Sequence, residues 1–545
     1  MREKEASNFI RNIIIDDLEA GKYDQAITRF PPEPNGLLHI GHAKAITINF
    51  DMAKEFGGYT YLRFDDTNPE KEDERFVRLI QEDIEWLGFT PHEVRYASDY
   101  FGEMYQRAHI LIDKGLAYVD DTPAEEMAAQ RGDFTTPGIE SKHRNRPIEE
   151  SKALFEQMKA GEFDEGELVL RAKIDMASPN MVMRDPVIYR IVNEPHYRTG
   201  DEWHIYPMYD FAHPLEDYME RITHSLCSLE FENNRPLYDW YIEHTEVEHQ
   251  PHQYEFAKLQ LTNTIIGKRF ILKLVADGIV DGWDDPRLLT ISGMRRRGFR
   301  PEGIKDFIRA TGVSKENSLV DIRQLEFFIR EDLKLVAPRI NAVLDPLKVT
   351  IINHPGETEM LEFDLNPENP DMGKVLLPFS NEVYIERDDF EEEPPKGYKR
   401  LSPGVEVRLR GAYFIKLEEI VKDEQGHITE LKCSYDPATK SGSGFKDRKP
   451  QGTIHWVDGK EHVKASVKRY DLLVPDEYDH KEDGYEGLNL DSIHRYDALI
   501  DISAKAAKPY DRFQFIRHGY FSVDPKYPDE LTFNETVSLK SSYRG

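Results

Sequence analysis

The sequence predicts an α/β body that continues into a helical segment and then into an all-β C-terminal third. Three observations predict this order. Apolar, strand-like runs alternate with helical patterns over the first part of the chain. Apolar residues then recur at helical spacing between about 261 and 342. After about residue 345, short alternating strands are separated by Asn, Pro, Asp and Gly, which is typical of β-barrels.

Five runs define the α/β body. Residues 26–30, 59–66 and 204–213 have the composition of strands or strand ends, and residues 43–56 and 74–87 have helical periodicity. Alternation of strands and helices implies a parallel sheet with covering helices. We therefore expect ligand-binding residues just beyond the carboxyl ends of the strands.

Length, hydropathy and cysteine content bound the class of protein. A chain of 545 residues corresponds to about three or four domains. No stretch approaches the ~20 apolar residues of a membrane span, and charges interrupt the N-terminal apolar run, which argues against a signal peptide. Cys227 and Cys433 lack CxxC spacing and indicate neither a disulfide framework nor a zinc site. These features predict a cytoplasmic protein.

The formal net charge of −30 argues against a nonspecific nucleic-acid binder, because neutralising phosphates requires Lys and Arg. Net charge describes the whole chain, however, whereas binding faces are local. Any contact with RNA must therefore come from a segregated basic surface.

The most informative motif is RFPPEPNGLLHIGH, from Arg29 to His42. A strand is expected to end at Phe30, and a helix to begin near His39 after a Pro- and Gly-rich loop. His39 and His42 are three residues apart and share one face of the first turn, where a helix N-terminus favours phosphate. Gly41 would let a ligand ring approach the backbone. For HxxH spacing alone, two surface histidines or half of a metal site are the alternatives.

Two further segments carry polar groups suited to a ligand. Asp65 and Asp66 follow a strand in LRFDDTNP and could bind an ammonium group or a metal; a loop turn is the alternative. Tyr209 lies in YPMYDFAH, and a buried tyrosine hydroxyl usually finds a polar partner. An aromatic core strand is the alternative there.

The string PPEPNGLLHIGH resembles the HIGH signature of class I aminoacyl-tRNA synthetases, with the flanks of the glutaminyl branch, and the similarity runs from about residue 7 to 540. The resemblance implies an enzyme that activates glutamine with ATP to glutaminyl adenylate and transfers it to the 3′ end of tRNA(Gln). It also implies Mg²⁺ and a monomer. The implied fold is a Rossmann-type catalytic domain with an inserted acceptor-binding domain, a helical subdomain and two C-terminal β-barrels.

The resemblance assigns roles to individual residues. It implies that the catalytic residues are His39, His42 and Lys268. The implied ATP-binding residues are Glu33, Asn35, His39, Gly41, His42, Lys258 and Lys268. The implied glutamine-binding residues are Arg29, Asp65, Tyr209, Cys227, Phe231 and Gln253, with Asp65 on the α-amino group and His213 nearby. It implies no metal ligand from the protein. The implied tRNA-binding residues are Phe134, Lys315, Arg339, Lys399, Arg400, Arg408, Arg410 and Arg517.

Cys227 distinguishes the glutaminyl from the glutamyl branch. Glutamyl-tRNA synthetases generally have an Arg there, which pairs with a carboxylate substrate. A small neutral Cys suits an amide, because burying a carboxylate without a cation is costly. We therefore expect glutamine rather than glutamate.

The loop that binds phosphates in class I enzymes departs from the family pattern. The aligned residues 266–269 read IGKR and keep Lys268, whose charge would stabilise the phosphates. Gly267 replaces a usual Ser, Phe270 replaces a usual Lys, and Lys258 stands where an Arg is general. Read alone, this is an ordinary basic loop.

Basic residues cluster at two places in this acidic chain. The helical segment carries Arg295, Arg296, Arg297, Arg300, Lys305, Arg309 and Lys315. In VEVRLRG, the two-residue period places Arg408 and Arg410 on one face of a strand. These cations indicate an RNA-binding track, and a solvated strand face is the alternative. The string RGDFTTPG resembles the family's loop that opens the acceptor end, which implies that Phe134 wedges against the first acceptor base pair.

The expected domain boundaries follow the family plan. They are 1–99 and 209–260 for the two catalytic halves, 100–208 for the acceptor-binding insertion, 261–339 for the helical subdomain with the phosphate loop, 340–396 with 470–545 for the proximal anticodon-binding barrel, and 397–469 for the distal barrel.

Two rival functions remain at this point. One is a glutamyl-tRNA synthetase with a β-barrel anticodon domain, against which Cys227 and the PPEPNG sequence argue. The other is a noncatalytic tRNA-binding paralogue, which only Gly267 and Lys258 favour. Intact His39, His42, Asp65 and Lys268 argue against the paralogue.

Overall fold

A computed structural model describes residues 8–478, 485 and 487–540 of the chain. The chain forms two compact units, Met1–Gln260 with Ile308–Leu319 and Leu261–Phe307 with Val320–Gly545. The expected segments 1–99 and 470–545 extend in part beyond the described residues.

The α-helices are α1 Phe9–Glu19, α2 Ile40–Glu55, α3 Glu74–Trp86, α4 Phe101–Asp113, α5 Ala124–Arg131, α6 Ile148–Lys159, α7 Tyr209–Met219, α8 Arg235–His244, α9 Lys268–Ala276, α10 Ile291–Arg297, α11 Pro301–Thr311 and α12 Ile322–Val336.

The strands up to the helical segment are β1 Ile27–Phe30, β2 Tyr59–Phe64, β3 Val94–Tyr96, β4 Ala117–Asp120, β5 Val169–Ala172, β6 Val187–Ile191, β7 Ile205–Pro207, β8 His224–Ser228, β9 His252–Phe256, β10 Leu259–Leu261 and β11 Ser318–Val320. Those of the β region are β12 Arg339–Ile340, β13 Ala342–Val343, β14 Pro346–Ile351, β15 Glu359–Asp364, β16 Lys374–Phe379, β17 Glu382–Glu386, β18 Glu406–Leu409, β19 Phe414–Lys422, β20 Ile428–Asp436, β21 Thr453–Ile454, β22 Val457–Asp458, β23 Val463–Tyr470, β24 Ile493–Ile500, β25 Arg512–Phe515, β26 Gly519–Val523 and β27 Thr532–Ser538.

A parallel sheet organises the first unit. Strands β1, β2 and β3 pair in parallel, with Ile27 opposite Tyr59 and Leu62 opposite Val94. The parallel pair β8–β9 lies beside β1, because Ile27 N donates to Thr223 Oγ1 at 2.8 Å and Thr223 N donates to Ile27 O at 3.0 Å. Every residue of β1 is buried, as expected for a strand covered on both faces. The α/β prediction is confirmed.

Helix α2 packs against β1, β2 and β8 of this sheet, and helices α2 and α3 were both predicted. Helix α2 begins at Ile40 rather than at residue 43. Helix α3 begins after Asp73, whose side chain accepts a hydrogen bond from Arg75 N at 2.8 Å. Its buried residues include Val77, Ile80 and Ile84, spaced as one apolar face of a helix.

An antiparallel sheet of order β4-β5-β6-β7 lies in the chain between the three-stranded parallel sheet β1-β2-β3 and the parallel pair β8–β9. Helices α4 and α6 pack on it. Their shared core is rich in aromatic residues and includes Phe101, Phe155, Tyr189 and Tyr206, all buried. These elements lie between residues 101 and 207, and the acceptor-binding insertion at 100–208 stays a prediction.

The strand predicted at 204–213 is wrong over most of its length. Only Ile205–Pro207 is extended, and Tyr209 begins helix α7. A strand was predicted because Pro214 and several aromatic residues lower the helix propensity of this segment. Burial of the helix on both sides, which includes Phe211 and Leu215, overrides that propensity.

The helical segment from 261 onward is confirmed as α9 to α12, but two of its basic residues, Arg296 and Arg300, are engaged in ion pairs. Arg296 is 2% exposed and pairs with Asp524 at 2.9 Å and with Asp281 at 3.0 Å. Arg300 pairs with Asp332 at 2.9 Å. Packing in the second unit accounts for these cations, so the predicted RNA-binding role is wrong for Arg296.

Two barrel-like sheets form the β region, as predicted. One has the order β12-β25-β26-β27-β23-β24-β13, and the other the order β21-β18-β19-β20-β14-β17-β22. Phe515, Phe521 and Phe533 lie in the core of the first sheet. Phe379 and Trp456 lie in the core of the second.

The strands divide between these sheets at other positions than the expected barrel boundaries. Pro346–Ile351 and Glu382–Glu386, expected in the proximal barrel, pair within the sheet that contains β18 to β20. Val463–Tyr470, expected in the distal barrel, pairs with β24 and β27 of the other sheet. Only two residues, Leu344 and Asp345, carry the chain from β13 in one sheet to β14 in the other, and so short a connection has no compositional signature.

No helix in residues 8–478, 485 and 487–540 combines the length and apolarity needed to cross a membrane. Cys227 and Cys433 are free thiols.

Candidate active site

Two histidines at the start of α2 cap the helix reciprocally. His39 Nδ1 accepts a hydrogen bond from Gly41 N at 3.0 Å, and His42 Nδ1 accepts one from His39 N at 3.1 Å. Their ring centroids lie 3.9 Å apart. Because each Nδ1 accepts a backbone N–H, a neutral ring carries its proton on Nε2. Two Nε2–H donors are therefore available at a helix N-terminus, where anions bind.

Both histidines are uncharged at neutral pH. Burial lowers the pKa of His39 to about 4. Burial, with a smaller contribution from His39, lowers the pKa of His42 to about 3. The pair can therefore donate hydrogen bonds without adding charge, and this property does not change between about pH 5 and pH 8.

Gly41 makes room for the ring of His39. A Cβ at Gly41 would lie 2.8 Å from His39 Cε1, closer than van der Waals contact allows. The prediction assigned this space to a ligand ring, and the structure places an imidazole of the protein there. In the loop ahead of α2, the side chains of Asn35 and Glu33 are hydrogen-bonded to each other.

Asp65 follows β2 and adjoins the loop that leads to the histidines. Its backbone N donates to Pro32 O at 3.0 Å, and its buried Oδ1 accepts from Thr67 Oγ1 at 2.8 Å. Burial raises the pKa of Asp65 to about 6, against the opposing effect of the Thr67 hydrogen bond. At pH 7 Asp65 is a buried carboxylate, which suits a substrate ammonium group.

Asp66 and His196 fix the Asp65 loop, and sequence reasoning missed His196. Asp66 accepts from Ser98 N at 2.8 Å and from Ser98 Oγ at 2.6 Å. His196 Nε2 lies 2.8 Å from Asp66 O, while its Nδ1 accepts from Arg198 N at 3.2 Å. The two adjacent carboxylates therefore differ in role: Asp66 stabilises the loop through Ser98, and Asp65 is the one that suits a substrate.

Several of the predicted glutamine-binding residues lie close together in the structure. The rings of Tyr209 and His213, one turn apart on α7, stack with centroids 5.1 Å apart. Phe231 lies 5.5 Å from Tyr209, and Gln253 Nε2 donates to Phe231 O at 3.0 Å. Cys227 Sγ lies 3.9 Å from a backbone carbonyl on β9. Burial raises the pKa of the Cys227 thiol, so Cys227 is neutral as predicted.

Arg29 is entirely buried beneath this pocket. Its Nη1 donates to Leu226 O at 2.8 Å, and its Nη2 lies 2.9 Å from His213 Nε2. Its Nε pairs with Asp217 Oδ1 at 3.0 Å. Sequence reasoning missed Asp217, which lies on α7 four residues after His213 and beyond the segment 204–213 that was read as a strand.

The remaining predicted ATP-binding lysines lie one in each unit. In the first unit, Lys258 Nζ is 3.9 Å from Glu230 Oε2. In the second, Lys268 is the first residue of α9, and Gly267 is its N-cap. Gly267 has φ −68° and gives no side-chain cap. A Cβ at Gly267 would meet no atom within 4 Å.

We expect Gly267→Ser to stabilise α9 by a few tenths of a kcal/mol, because a serine hydroxyl can cap the helix N-terminus where φ is already negative. Ordering of this loop should then speed, several-fold, the adenylate formation that the resemblance implies. Pre-steady-state adenylate formation at saturating ATP measures this, with Gly267→Ala as the control that adds Cβ without a hydroxyl. A slower serine variant would show that the loop needs glycine when it moves.

Phe134 is displayed by a rigid loop in the first unit. It is 88% exposed. Asp133 Oδ1 accepts from Thr135 N at 2.8 Å and Thr136 N at 2.7 Å, and Arg184 Nη1 donates to Thr136 O at 3.0 Å. A large apolar side chain held in solvent by this many hydrogen bonds suits a surface that inserts against a partner.

The predicted alternation in β18 is confirmed. Val407 and Leu409 are buried, while Arg408 and Arg410 are half-buried on the other face. Arg408 Nη1 donates to Ala412 O at 3.1 Å, and it also bonds Thr439 O and Ser441 Oγ, each at 2.9 Å. Arg410 instead lies over the ring of Phe363, 5.6 Å from its centroid. Arg408 therefore has a structural role that the pattern did not reveal.

The other predicted tRNA-binding cations make contacts of their own. Arg339 Nη2 pairs with Glu368 Oε1 at 2.5 Å, and Lys315 Nζ lies 4.8 Å from the ring centroid of Phe9. Lys399 is exposed.

Arg400 and Arg517 share one carboxylate in the second unit. Arg517 holds the buried Asp389 bidentately, at 2.6 and 2.8 Å. Arg400 Nε lies 3.3 Å from the same Asp389. Arg517 adopts φ +69°, a left-handed conformation that costs about 1–3 kcal/mol in a residue with a Cβ.

Three family models match the chain. One, described as tRNA synthetases class I (E and Q), catalytic domain, matches residues 25–335. Two described as tRNA synthetases class I (E and Q), anti-codon binding domain, match residues 337–436 and 453–524.

Individual proteins match over nearly the whole chain. A glutamine–tRNA ligase of Clostridium perfringens is 56% identical, over 99% of this chain and 99% of that protein. A glutamine–tRNA ligase of Clostridioides difficile is 54% identical over the same shares. The crystal structure of a glutamate–tRNA ligase from Elizabethkingia meningosepticum aligns with a TM-score of 0.43 and 20% identity, over 57% of this chain and 70% of that one.

Proposed function

The chain belongs to the class I tRNA synthetase family that handles glutamate and glutamine, and on that premise we propose that it is a glutamine–tRNA ligase. It activates glutamine with ATP and transfers the glutaminyl group to the 3′ end of tRNA(Gln). The observation that carries this proposal is the cluster of Tyr209, Phe231 and Gln253 with the uncharged thiol of Cys227.

The first step joins glutamine to ATP. A carboxylate oxygen of glutamine attacks the α-phosphorus, the bond to the bridging oxygen breaks, and pyrophosphate leaves with that electron pair. His39 and His42 hold the phosphates through their Nε2–H groups, and Lys268 adds a positive charge. Asp65 holds the α-ammonium group and so orients the attacking carboxylate. ATP enters as its magnesium complex, in which phosphate oxygens carry the metal.

In the second step, a ribose hydroxyl of the terminal tRNA adenosine attacks the glutaminyl carbonyl and AMP leaves. Phe134 wedges against the end of the acceptor stem. The anticodon arm lies along the two barrel-like sheets, where Lys399, Arg410 and Arg517 contact it. No covalent intermediate on the protein is required, because positioning and charge stabilisation suffice.

We further propose that the protein acts as a monomer in the cytoplasm. The two unpaired cysteines support a reducing compartment. Analytical ultracentrifugation measures the oligomeric state.

Pyrophosphate exchange tests the function directly. The assay compares glutamine, glutamate and no amino acid, each with and without tRNA. Exchange that depends on glutamine, together with glutaminyl-tRNA formation, is expected. Exchange that depends on glutamate would favour the glutamyl-tRNA synthetase. No exchange in a protein that binds tRNA would favour the noncatalytic paralogue.

We expect Arg408→Ala and Arg410→Ala to have different effects. Loss of Arg408 leaves two carbonyls and a hydroxyl without their donor, which should destabilise the second unit by about 1–3 kcal/mol. Loss of Arg410 should instead raise KM for tRNA by about fivefold or more at unchanged stability. Thermal unfolding and aminoacylation kinetics measure the two effects, and Arg410→Lys is the charge-preserving control. Equal tRNA affinity in wild type and Arg410→Ala would remove Arg410 from the interface.

Cys227→Arg should shift the preference from glutamine towards glutamate. The new cation can pair with a substrate carboxylate, and a ratio of kcat/KM values about tenfold lower corresponds to about 1.4 kcal/mol. Cys227→Ser, which stays neutral, is the matched control. A glutamine-to-glutamate ratio unaltered in the arginine variant would show that selection lies elsewhere in the pocket.

A further inference from the structure

Glu386 holds the short connection between the two barrel-like sheets. It is the last residue of β17 and is 8% exposed. Its Oε1 accepts a hydrogen bond from Leu344 N at 2.8 Å, and its Oε2 accepts one from Asp345 N at 3.0 Å. These two residues make up the whole connection from β13 to β14. One buried carboxylate therefore anchors the chain where it passes from one sheet to the other.

The same carboxylate bonds two histidines, one beside each sheet. His518 lies between β25 and β26, and its Nε2 is 2.7 Å from Glu386 Oε1. His455 lies between β21 and β22, and its Nε2 is 3.5 Å from that oxygen. Burial opposes ionisation of Glu386, but hydrogen bonds from the two histidines hold its pKa well below the usual range. Glu386 is therefore an ionised acceptor at neutral pH, and His518 Nε2 carries the proton of their shared hydrogen bond.

Distance alone would allow these three side chains to hold a metal ion, because their ligand atoms lie within 4.8 Å of one another. The hydrogen bonds of His455 argue against it. His455 Nδ1 faces Arg517 Nη1 at 3.4 Å, and a guanidinium group can only donate. His455 Nε2 therefore carries the proton, and it lies 2.8 Å from Ala342 O. The three side chains form a hydrogen-bonded clasp between the two sheets.

Arg517 is held by the same segment of the chain. It directly precedes His518, and its guanidinium group bonds both oxygens of Asp389, three residues after Glu386. Its backbone φ of +69° is left-handed, and a residue with a Cβ keeps that conformation only where surrounding contacts impose it. The hydrogen bond between His518 and Glu386 supplies such a contact at the next residue.

We propose that His518 is a positioning residue for tRNA binding: held by Glu386, it fixes the turn between β25 and β26 so that Arg517 is presented in the conformation that contacts tRNA. The inference rests on the proposed function, in which Arg517 binds the anticodon arm. An arginine fixed in advance loses less conformational freedom when tRNA binds. The clasp should therefore act on the affinity for tRNA and leave the steps at the amino-acid pocket unchanged.

The test compares two matched substitutions, His518→Asn and His518→Gln. The Gln amide nitrogen takes the place of Nε2 and can still donate to Glu386, whereas the Asn amide reaches only the place of Nδ1. We expect His518→Asn to raise KM for tRNA by about fivefold or more and His518→Gln to stay near wild type, with KM for ATP and for glutamine unchanged in both. Aminoacylation kinetics measure these values, and thermal unfolding shows whether each variant is folded. If His518→Asn does not fold, His518→Phe removes the donor and keeps the ring.

A double-mutant cycle shows whether His518 acts through Arg517. In an Arg517→Ala protein there is no guanidinium group to position, so adding His518→Asn should leave KM for tRNA where Arg517→Ala alone puts it. An increase by the same factor with and without Arg517 would overturn the proposal, because His518 would then affect tRNA binding independently of that residue.

The outcomes separate this inference from the proposed function. A wild-type protein that does not form glutaminyl-tRNA overturns the function before any variant is made. A folded His518→Asn variant with the wild-type KM for tRNA overturns only the role of His518. If Arg517→Ala leaves KM for tRNA unchanged, the tRNA contact of Arg517 and the inference built on it are both overturned, while normal formation of glutaminyl-tRNA would still uphold the function.

Discussion

Replacing His39 by Asn and His42 by Gln, singly, is expected to lower kcat/KM for glutamine activation by ~10²-fold or more, about 2.7 kcal/mol of transition-state stabilisation. Asn is a good N-cap, and Gln at the third helical position can reach back to the N-cap backbone. Each substitution therefore preserves the start of α2 and removes only the Nε2–H donor. Steady-state pyrophosphate exchange measures the loss.

Alanine variants at both positions provide the comparison. His39→Ala loses the cap and the donor together, so its melting temperature should fall while that of His39→Asn stays near wild type. The phosphate-binding assignment would fail if both cap-preserving variants retained near-normal kcat/KM, since the histidines would then serve only the helix.

Asp65→Asn is expected to lower kcat/KM for glutamine by ~10²-fold or more, because an ammonium group would lose its buried counter-charge. The loss should appear mainly in KM for glutamine, with tRNA-free ATP binding unchanged. Isothermal titration with ATP and exchange kinetics with glutamine separate the two. An Asp65→Asn variant with ordinary KM for glutamine would place the ammonium group elsewhere.

The dependence of kcat/KM for glutamine on pH, on its acid side, should follow the ionisation of Asp65. With the pKa of Asp65 raised to about 6, protonation below that value removes the anion, and kcat/KM for glutamine should fall about tenfold per pH unit. The pKa of His39, about 4, and that of His42, about 3, lie below this range. Thr67→Val removes a hydrogen bond that lowers the pKa of Asp65, so the limb should move to higher pH. Identical limbs in wild type and Thr67→Val would contradict the assignment.

Sequence patterns predicted the elements that depend on residues only a few positions apart in the chain. The loop before α2, the helices α2 and α3, and the alternation of Val407 and Leu409 with Arg408 and Arg410 all follow from spacing within a few residues. The paired histidines were predicted because both fall on one turn.

Groups that depend on distant partners were not predictable in this way. Asp217 meets Arg29 188 residues away in sequence, and Arg296 meets Asp524 across 228. A single sequence carries no sign of such pairings, and a basic run reads the same whether its cations face RNA or buried aspartates. The strand expected at 204–213 failed for a related reason, because packing around Phe211 and Leu215 outweighed local propensity.

The carboxylate shared by Arg400 and Arg517 has an energetic consequence. Asp389 holds both guanidinium groups, and Arg517 is kept at φ +69°. Among the residues that the structure describes, releasing either arginine leaves Asp389 with one ion-pair partner, so the remaining arginine is held more strongly. Substitutions at the two positions should therefore be non-additive, with a coupling energy of about 0.5–3 kcal/mol in a double-mutant cycle. If Arg400 and Arg517 each contact a nucleotide, the binding free energies of the two nucleotides should therefore be coupled and not additive.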